Sequence, residues 1–274
     1  MQILIIVNHE KEKGGYVGNL TANKLTSLGI EHFFIGENES ALPRCDVIIT
    51  IGGDGTILRW GKRAAEAGIP LLGINTGNLG FMSSLEPDEL RKLELLKNGT
   101  YSISRRMMLD VSVRSGEDIV FFENKTVLND IVFTKQNNSR LPNFSVRKNN
   151  ITAAEVRADG VIFSTATGST AYSLSAGGPV AEPEAECVIF TPICPHSLTS
   201  RPMIFGAKSD SASEIEVDIS SNTGNGAYLY TDGEERVLIP EKSTAVIRKS
   251  RFHLDLVNIG AANNFYNVLR EKLS

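Results

Sequence analysis

The sequence predicts two regions of different fold class: an N-terminal α/β region with a doubly wound parallel sheet, and a C-terminal all-β region with an antiparallel β-sandwich. In the first hundred or so residues, apolar β-branched runs alternate with stretches of helical periodicity. After Gly99 the helical period disappears, and short apolar runs separated by polar turns replace it. With 41% hydrophobic and 22% charged residues over 274 positions, the chain can bury a substantial core.

The N-terminal region consists of repeated strand and helix pairs. Residues 3–7 are a continuous Ile, Leu and Val run, as expected for a strand covered on both faces. A helix follows through Leu20, Leu25 and Leu28 and ends at Gly29, a residue type that suits the position after a helix. The other predicted elements here are strands at 33–35, 47–51 and 70–74, and helices at 56–67 (ending at Gly68) and 87–96.

The C-terminal region contains many short predicted strands and one final helix. The strands are expected at residues 108–113, 119–122, 127–134, 144–147, 161–164, 215–219, 228–230, 245–248 and 252–257. Residues 261–273 return to a helical pattern, with an apolar face made by Phe265, Val268, Leu269 and Leu273. We therefore expect domains at 1–99 and 100–257, with the helix at 258–274 packing back on the first domain.

Composition and charge exclude several classes of protein. A net charge of −4 argues against a nucleic-acid partner, because proteins that bind nucleic acids normally have a basic surface. No apolar run approaches the roughly 20 residues that span a bilayer, so no membrane partner is expected. The three cysteines form no CxxC pair and the four histidines have no zinc-site spacing. We expect a cytoplasmic protein with reduced thiols.

The strongest local feature is the glycine-rich loop GGDGT at residues 52–56, between a predicted strand and a predicted helix. Ligands of open α/β sheets bind at the carboxyl ends of strands. Glycines let main-chain N–H groups approach an anion closely, and the N-terminus of a helix favours negative charge. We therefore expect Asp54 to accept a hydroxyl proton or recruit a cation, and the rest of the loop to hold phosphate: Gly52, Gly53, Gly55 and Thr56. The alternative is a tight turn closed by a local hydrogen bond from Asp54.

A second feature, TATGSTAYSLSAGGP at residues 165–179, follows the predicted strand 161–164. Its small residues let a flat base approach the main chain, and Tyr172 offers a face for stacking. Hydroxyl groups and exposed helix N–H groups can bind the polar edges of a ligand. A helix cap that is rich in Ser and Thr is the alternative.

Taken together, these motifs resemble the NAD kinase family. GGDGT alone is shared with lipid kinases of the diacylglycerol and sphingosine types, whereas the longer motif about 110 residues later is similar to NAD kinases in particular. Further blocks that fit the family follow in order: NTGNLGF at 75–81, LND at 128–130, RADG at 157–160, PHSLTSRP at 195–202 and DG at 232–233. The resemblance spans residues 1 to 272.

The resemblance implies an enzyme that moves a phosphoryl group from ATP or another donor to the 2′-hydroxyl of the adenosine ribose of NAD. NAD and ATP would be its substrates, and a divalent cation, expected to be Mg²⁺, its cofactor, with no metal ligand assigned. A homodimer or homotetramer is also implied. Asp54 of one domain and substrate-binding residues of the other are expected to contact NAD.

Individual roles follow from the same resemblance. Asp54, with Gly55, corresponds to the part of the loop that binds and activates the ribose hydroxyl. Asn129 and Asp130 correspond to a pair that holds the adenosine, where many members have Asn-Glu. Arg157 and Asp159 correspond to residues on the nicotinamide side. The segment that lines the adenine and ribose comprises Thr170, Ala171, Tyr172, Ser173, Leu174 and Ser175. His196 lies near the site by analogy, and Glu234 occupies a position where many members have Gln.

Three other functions share some of these features. A lipid kinase with the same loop predicts an exposed apolar surface or a membrane-facing helix, and the sequence supplies neither. Another small-metabolite kinase would differ in its acceptor. A non-catalytic NAD-binding sensor predicts a damaged GGDGT loop, and the loop is intact.

Overall fold

The computed structural model describes residues 1–8, 14–36, 42–77, 80–115, 119–136, 140–208, 214–220, 226–233, 235–259 and 265–273. The described residues divide into two compact units. Unit 1 comprises Met1–Arg106 and His253–Ser274, and unit 2 comprises Met107–Phe252. Glu234, residues 78 and 79 of NTGNLGF and the first four residues of the predicted helix 261–273 lie outside the described residues.

The described residues form fifteen strands. In chain order, β1 to β15 are Gln2–Val7, Glu31–Phe34, Val47–Gly52, Leu71–Asn75, Ser102–Ser115, Ile119–Val127, Asp130–Lys135, Asn143–Lys148, Ile151–Ser164, Cys187–Pro195, Met203–Gly206, Ile215–Ser220, Ala227–Thr231, Glu235–Ile239 and Ser243–Asn258. The helices α1 to α5 are Gly14–Ser27, Asp54–Ala67, Leu93–Lys97, Tyr172–Ser175 and Phe265–Leu273. Short 3₁₀ turns occupy Pro87–Lys92 and Thr167–Thr170.

Unit 1 contains a parallel sheet with the strand order β2-β1-β3-β4. The end of β15 pairs in parallel with β4 at Leu256 and Leu71. From β1 the chain crosses to β2 on one side, and from β3 it crosses to β4 on the other, so the sheet is doubly wound as predicted. Four consecutive residues of β1, Ile3 to Ile6, are fully buried, because both faces of the sheet are covered.

This topology places the glycine loop at a favourable point of the sheet. The winding direction reverses between β1 and β3, and ligands of doubly wound sheets bind at the carboxyl ends of strands beside such a reversal. The GGDGT loop leaves the end of β3, and α2 begins at Asp54, two residues earlier than predicted. Its end at Gly68, with a left-handed φ of 65°, is confirmed.

Unit 2 is largely antiparallel, as predicted. The first half of β9 pairs with β8, while its second half pairs with β7 on one side and β10 on the other. Strand β13 pairs with β7, and β14 pairs with β13. The apolar core of this unit includes four fully buried aromatic side chains, Phe133, Phe144, Phe163 and Phe190.

Several element predictions were wrong in detail. The predicted helix 87–96 is a 3₁₀ turn, which begins with a capping box between Glu86 and Glu89, followed by the short α3. Strands β10, β11 and β14 were not predicted; Pro192 and Pro195 weaken the strand pattern of β10. The predicted strand 127–134 is interrupted at Leu128 and Asn129, between β6 and β7.

None of the helices among the described residues has the length and apolar character that spanning a bilayer requires.

Candidate functional site

In unit 1, the carboxylate of Asp54 connects the glycine loop to the segment that follows β4. Its Oδ2 accepts a hydrogen bond from the N–H of Phe81 at 2.8 Å, and its Oδ1 accepts one from the N–H of Met82 at 3.1 Å. A Cβ atom at Gly80 would collide with the same carboxylate, so a larger residue there would displace it. Among the described residues, Asp54 does not make the local hydrogen bond of the turn alternative. Two distant main-chain amides fix the carboxylate instead.

The position of Asp54 also favours its negative charge. Gly53, in an extended conformation, caps α2, and Asp54 is the first residue of that helix. A carboxylate at a helix N-terminus is stabilised by the helix dipole. Each Asp54 oxygen accepts one main-chain hydrogen bond and keeps a lone pair for another partner.

The segment that carries these two amides is itself anchored. The side-chain N–H₂ of the buried Asn75 donates to both carboxylate oxygens of Glu86, at 3.0 and 3.2 Å. Burial raises the pKa of Glu86, and the hydrogen bond from Asn75 opposes that rise. The centre of the Phe81 ring lies 6.0 Å from that of the Phe265 ring on α5, and the Lys272 ammonium lies 4.8 Å from the centre of the Phe81 ring. Helix α5 therefore supports the loop that holds Asp54.

In unit 2, a cavity of about 400 Å³ opens at the start of β7. Its lining combines carboxyl, hydroxyl, amide and aromatic groups and comprises Asn129, Asp130, Val132, Thr134, Ala171, Tyr172, Tyr230, Asp232 and Gly233. Cavities of this size, with a few converging polar groups, are typical small-molecule sites. The structure thus brings four predicted site residues together: Asn129, Asp130, Ala171 and Tyr172.

The carboxylate of Asp232 holds the interruption between β6 and β7. It accepts hydrogen bonds from three consecutive main-chain amides, those of Leu128 at 2.8 Å, Asn129 at 2.7 Å and Asp130 at 3.1 Å. Asp232 reaches them from a turn in which its own φ is 52°. Aspartate tolerates this left-handed conformation better than most residues.

The second motif holds the same segment from the other side. The hydroxyl of Thr165 donates to the carbonyl of Leu128 at 2.6 Å, and the amide of Thr165 donates to the carbonyl of Asn129 at 2.9 Å. Gly168 packs so closely on the main chain of Asn129 that a Cβ atom would overlap it. The hydrogen bonds of Asp232 and Thr165 therefore account for five main-chain groups of the segment 128–130.

Asp130 is an acid of the cavity with a strongly shifted pKa. The residue is only 5% exposed, and no donor among the described residues binds its carboxyl group. Burial, and then the negative charge of Asp232, raise its pKa from 3.8 to about 7. Asn129 beside it has a side-chain oxygen that is buried and lacks a partner in the described part of the chain. Both groups can bind a ligand.

The remaining residues of the second motif have mixed environments. Tyr172 is 45% exposed at the cavity, and partial burial raises the pKa of its hydroxyl. The hydroxyl of Ser173 is buried against that of Thr191 at 2.9 Å, and the hydroxyl of Thr170 is 3.3 Å from the carbonyl of Thr167, to which it donates. Leu174 is half-buried and Ser175 is exposed. Of these residues, Tyr172 has the side chain best placed to contact a ligand.

Arg157 and Asp159 lie on β9 and are not among the described lining residues of the cavity. Asp159 forms an ion pair with Lys135 at 2.7 Å. The side chain of Arg157 is exposed, and its carbonyl accepts a hydrogen bond from the N–H of His196 at 2.8 Å. The predicted roles of these residues remain predictions.

Sequence reasoning missed Asp232, Tyr230 and Thr134 as cavity residues. Asp232-Gly233 follows an aromatic strand, and that pattern predicts only a hairpin turn. The signal that could have identified Asp232 is its place in one of the blocks that fit the family. No group of three or more His, Cys, Asp or Glu side chains that could hold a metal occurs within the described residues.

Family models match most of the chain. The ATP-NAD kinase N-terminal domain matches residues 33–101, and the ATP-NAD kinase C-terminal domain matches residues 128–259. The NAD kinase of Symbiobacterium thermophilum is 40% identical over 230 residues, which cover 84% of this chain and 78% of that protein. The NAD kinase of Chlorobaculum tepidum is 34% identical over 287 residues, which cover 100% and 96%.

Solved structures share the fold. An NAD kinase from Archaeoglobus fulgidus, crystallised in complex with ATP, aligns with a TM-score of 0.79 at 26% identity and covers 99% of this chain and 98% of that one. Yeast NADH kinase, complexed with NADH, aligns with a TM-score of 0.82 over 100% of this chain and 87% of that one; its 23% identity shows the fold alone. These similarities confirm the resemblance and the fold class.

The raised pKa of Asp130 predicts that Asp130→Asn stabilises the protein, and more so at high pH. Because the folded-state pKa of about 7 exceeds the ordinary 3.8, ionisation favours the unfolded state as the pH rises between these values. The difference in the free energy of unfolding between the asparagine variant and the wild type should be larger at about pH 8 than at about pH 5, by up to about 2.5 kcal/mol. Thermal melts at both pH values measure the difference.

Asp218→Asn is the matched control, since Asp218 lies on β12 outside the cavity and pairs with Arg147. A melting temperature of Asp130→Asn that falls relative to wild type as the pH rises would contradict the prediction.

Proposed function

We propose that this chain, which belongs to the NAD kinase family, carries out that family's reaction with Asp54 as the catalytic residue and with the cavity of unit 2 as a binding site for NAD. The phosphoryl group passes from ATP or another donor to the 2′-hydroxyl of the adenosine ribose, and the product is NADP. The observation that carries the proposal is the Asp54 carboxylate, fixed by two main-chain amides in the loop after β3.

Asp54 would orient the 2′-hydroxyl and accept its proton. As the bond between the ribose oxygen and the phosphorus forms, the bond from phosphorus to the donor's bridging oxygen breaks, and ADP leaves when ATP is the donor. The transition state of phosphoryl transfer is loose, so positioning and charge stabilisation contribute most of the rate. The lone pair that each Asp54 oxygen retains can accept the hydroxyl proton.

The glycine loop would stabilise the phosphates of the donor. Gly52, Gly53 and Gly55 with Thr56 surround the start of α2, where main-chain N–H groups and the helix dipole favour anions. Mg²⁺ at such sites is bound through one or two carboxylates and the substrate's phosphates, and Asp54 is the carboxylate that this loop offers. A bound Mg²⁺ would neutralise the charge that develops on the donor.

NAD would be bound by the cavity of unit 2. Asn129 and Asp130 offer hydrogen-bonding groups to the adenosine, and Ala171 with Tyr172 offer a small residue beside an aromatic face. Arg157 and Asp159 would serve the nicotinamide side. The remaining predicted binding residues are Gly55, Thr170, Ser173, Leu174 and Ser175.

The proposal extends to the state of the protein in the cell. We infer a homodimer or homotetramer in the cytoplasm, with no nucleic-acid or membrane partner. The net charge of −4 supports the inference that no nucleic acid binds. The domain division at 1–99 and 100–257, with 258–274 joined to the first domain, is part of the same proposal.

Incubating the purified protein with NAD, Mg²⁺ and separate donors tests this function. ATP, a second nucleoside triphosphate and polyphosphate should be supplied one at a time, and NADP should be measured with an NADP-specific dehydrogenase. NADP formation with at least one donor is expected. Failure with every donor, in protein that still binds NAD, would favour the sensor alternative.

Replacing Asp54 by asparagine should leave the fold and NAD binding in place and remove most turnover. A positioned general base contributes on the order of 10²–10⁴-fold to rate, so kcat should fall by about that factor. Steady-state kinetics and NAD titration measure the two effects. Asp46→Asn, which changes an exposed acid of unit 1, is the control. A variant that kept more than about a third of the wild-type kcat would rule out the base role.

Tyr172→Ala should weaken NAD binding if the exposed ring stacks on the adenosine. Stacking of a base on an aromatic side chain is worth about 1–3 kcal/mol, which corresponds to a rise of roughly 5- to 150-fold in the dissociation constant. Tyr172→Phe should restore most of the affinity if the ring face is what matters. If the alanine variant instead lowers the melting temperature and binds NAD normally, Tyr172 has a packing role only.

A further inference from the structure

The cavity of unit 2 contains two carboxyl groups in opposite surroundings. Asp232 receives three main-chain N–H groups, at 2.7 to 3.1 Å. Asp130, 5% exposed, receives no hydrogen bond from the described residues and lines the same cavity. Hydrogen bonds to a carboxylate favour its charged form, whereas burial without them favours the neutral acid. When two acids share a site in this way, the proton goes to the less solvated one.

Among the described residues that line the cavity, no titratable group supplies a compensating cation for Asp130. Tyr172 from α4 and Tyr230 from β13 line the cavity, and a tyrosine side chain supplies no positive charge. Burial raises the pKa of Tyr172, and Cys194 on β10 and Asp159 on β9 lie close enough to raise it further. Lys135, on the same strand β7 as Asp130, forms an ion pair with Asp159 at 2.7 Å. The described lining of the cavity contains no Lys, Arg or His.

We propose that Asp130 is a specificity-determining residue that presents a neutral carboxyl group to the ligand, while Asp232 remains an anion and acts as the positioning residue for the segment 128–130. A neutral carboxyl group donates one hydrogen bond through its O–H and accepts another through its carbonyl oxygen. It therefore selects an uncharged ligand group that has a donor and an acceptor side by side. The amino edge of adenine has that pattern, and so does a primary carboxamide.

The same arrangement disfavours an anion in the cavity. A phosphate placed there would meet the Asp232 charge, and it could not accept from Asp130 once that group ionises. The inference rests on the proposed function, because it places the nucleoside part of NAD in this cavity rather than its pyrophosphate. Burial and the neighbouring charge raise the pKa of Asp130 to about 7. The change of Asp130 from neutral to ionised therefore falls within the pH range of ordinary binding assays.

The dissociation constant of NAD should therefore depend on pH. NAD has no group that titrates near neutral pH, so a change reports the protein. If NAD binds only to protein in which Asp130 is neutral, its dissociation constant rises as the neutral form is depleted. The rise is about 25-fold between about pH 6.5 and about pH 8.5. Isothermal titration calorimetry with NAD, and in parallel with adenosine, measures it. Adenosine should show the same pH profile because it lacks the pyrophosphate.

Three variants make the test specific. Asp130→Asn keeps a donor and an acceptor without ionising, so its affinity should match the wild type at low pH and stay constant as the pH rises. Asp232→Asn should weaken NAD binding about tenfold at low pH, because a charged acceptor of three amides is lost. It should also move the loss of affinity to lower pH, because the charge of Asp232 no longer raises the pKa of Asp130. Asp218→Asn, outside the cavity, should keep the wild-type profile.

Two results would overturn the inference. One is wild-type affinity that does not change or that rises with pH; the other is an Asp130→Asn variant that retains the wild-type pH profile. Neither depends on turnover. A protein with the expected binding profile that forms no NADP would contradict the proposed function alone, and one that forms NADP with a flat binding profile would contradict the inference alone.

Discussion

The carboxylate of Asp232 accepts hydrogen bonds from the amides of Leu128, Asn129 and Asp130, and the cavity of unit 2 depends on this contact. Three amides in a row cannot join a regular antiparallel ladder while they converge on one carboxylate. The strand is interrupted there, and the side chains of Asn129 and Asp130 are directed into the cavity. The charge that Asp232 retains then acts on Asp130 and opposes its ionisation.

In unit 1 another carboxylate also accepts hydrogen bonds from main-chain amides. Asp54 receives two main-chain amides from a segment 27 and 28 residues further along the chain. In each unit a carboxylate joins two loops that are distant in sequence, and so its orientation is fixed before any substrate binds. Preorganised charge of this kind costs no reorganisation during the reaction. In unit 2 the fixed acid positions other residues, whereas in unit 1 it is itself the proposed catalytic group.

The sequence predicted the parts of the fold that local patterns determine. The buried strands β1, β3 and β4 are continuous apolar runs, and α2 ends at a glycine, so both were found. The interruption at Leu128 and Asn129 could not be predicted, because it depends on a carboxylate about a hundred positions away. Tyr172 was identified from the composition of its motif, and Asn129 and Asp130 through the family resemblance, whereas Asp232 was noted only within the DG block at 232–233. The environment of Asp130 depends on burial and on a neighbour that only the fold supplies.

Carbon-13 NMR of the aspartate carboxyl groups can measure the protonation of the two acids separately. The Asp130 resonance can be assigned by its loss in the Asp130→Asn variant. This resonance should titrate with a midpoint at about 7, and Asp232 should stay ionised throughout that range. A midpoint for Asp130 near the ordinary value of 3.8 would contradict it.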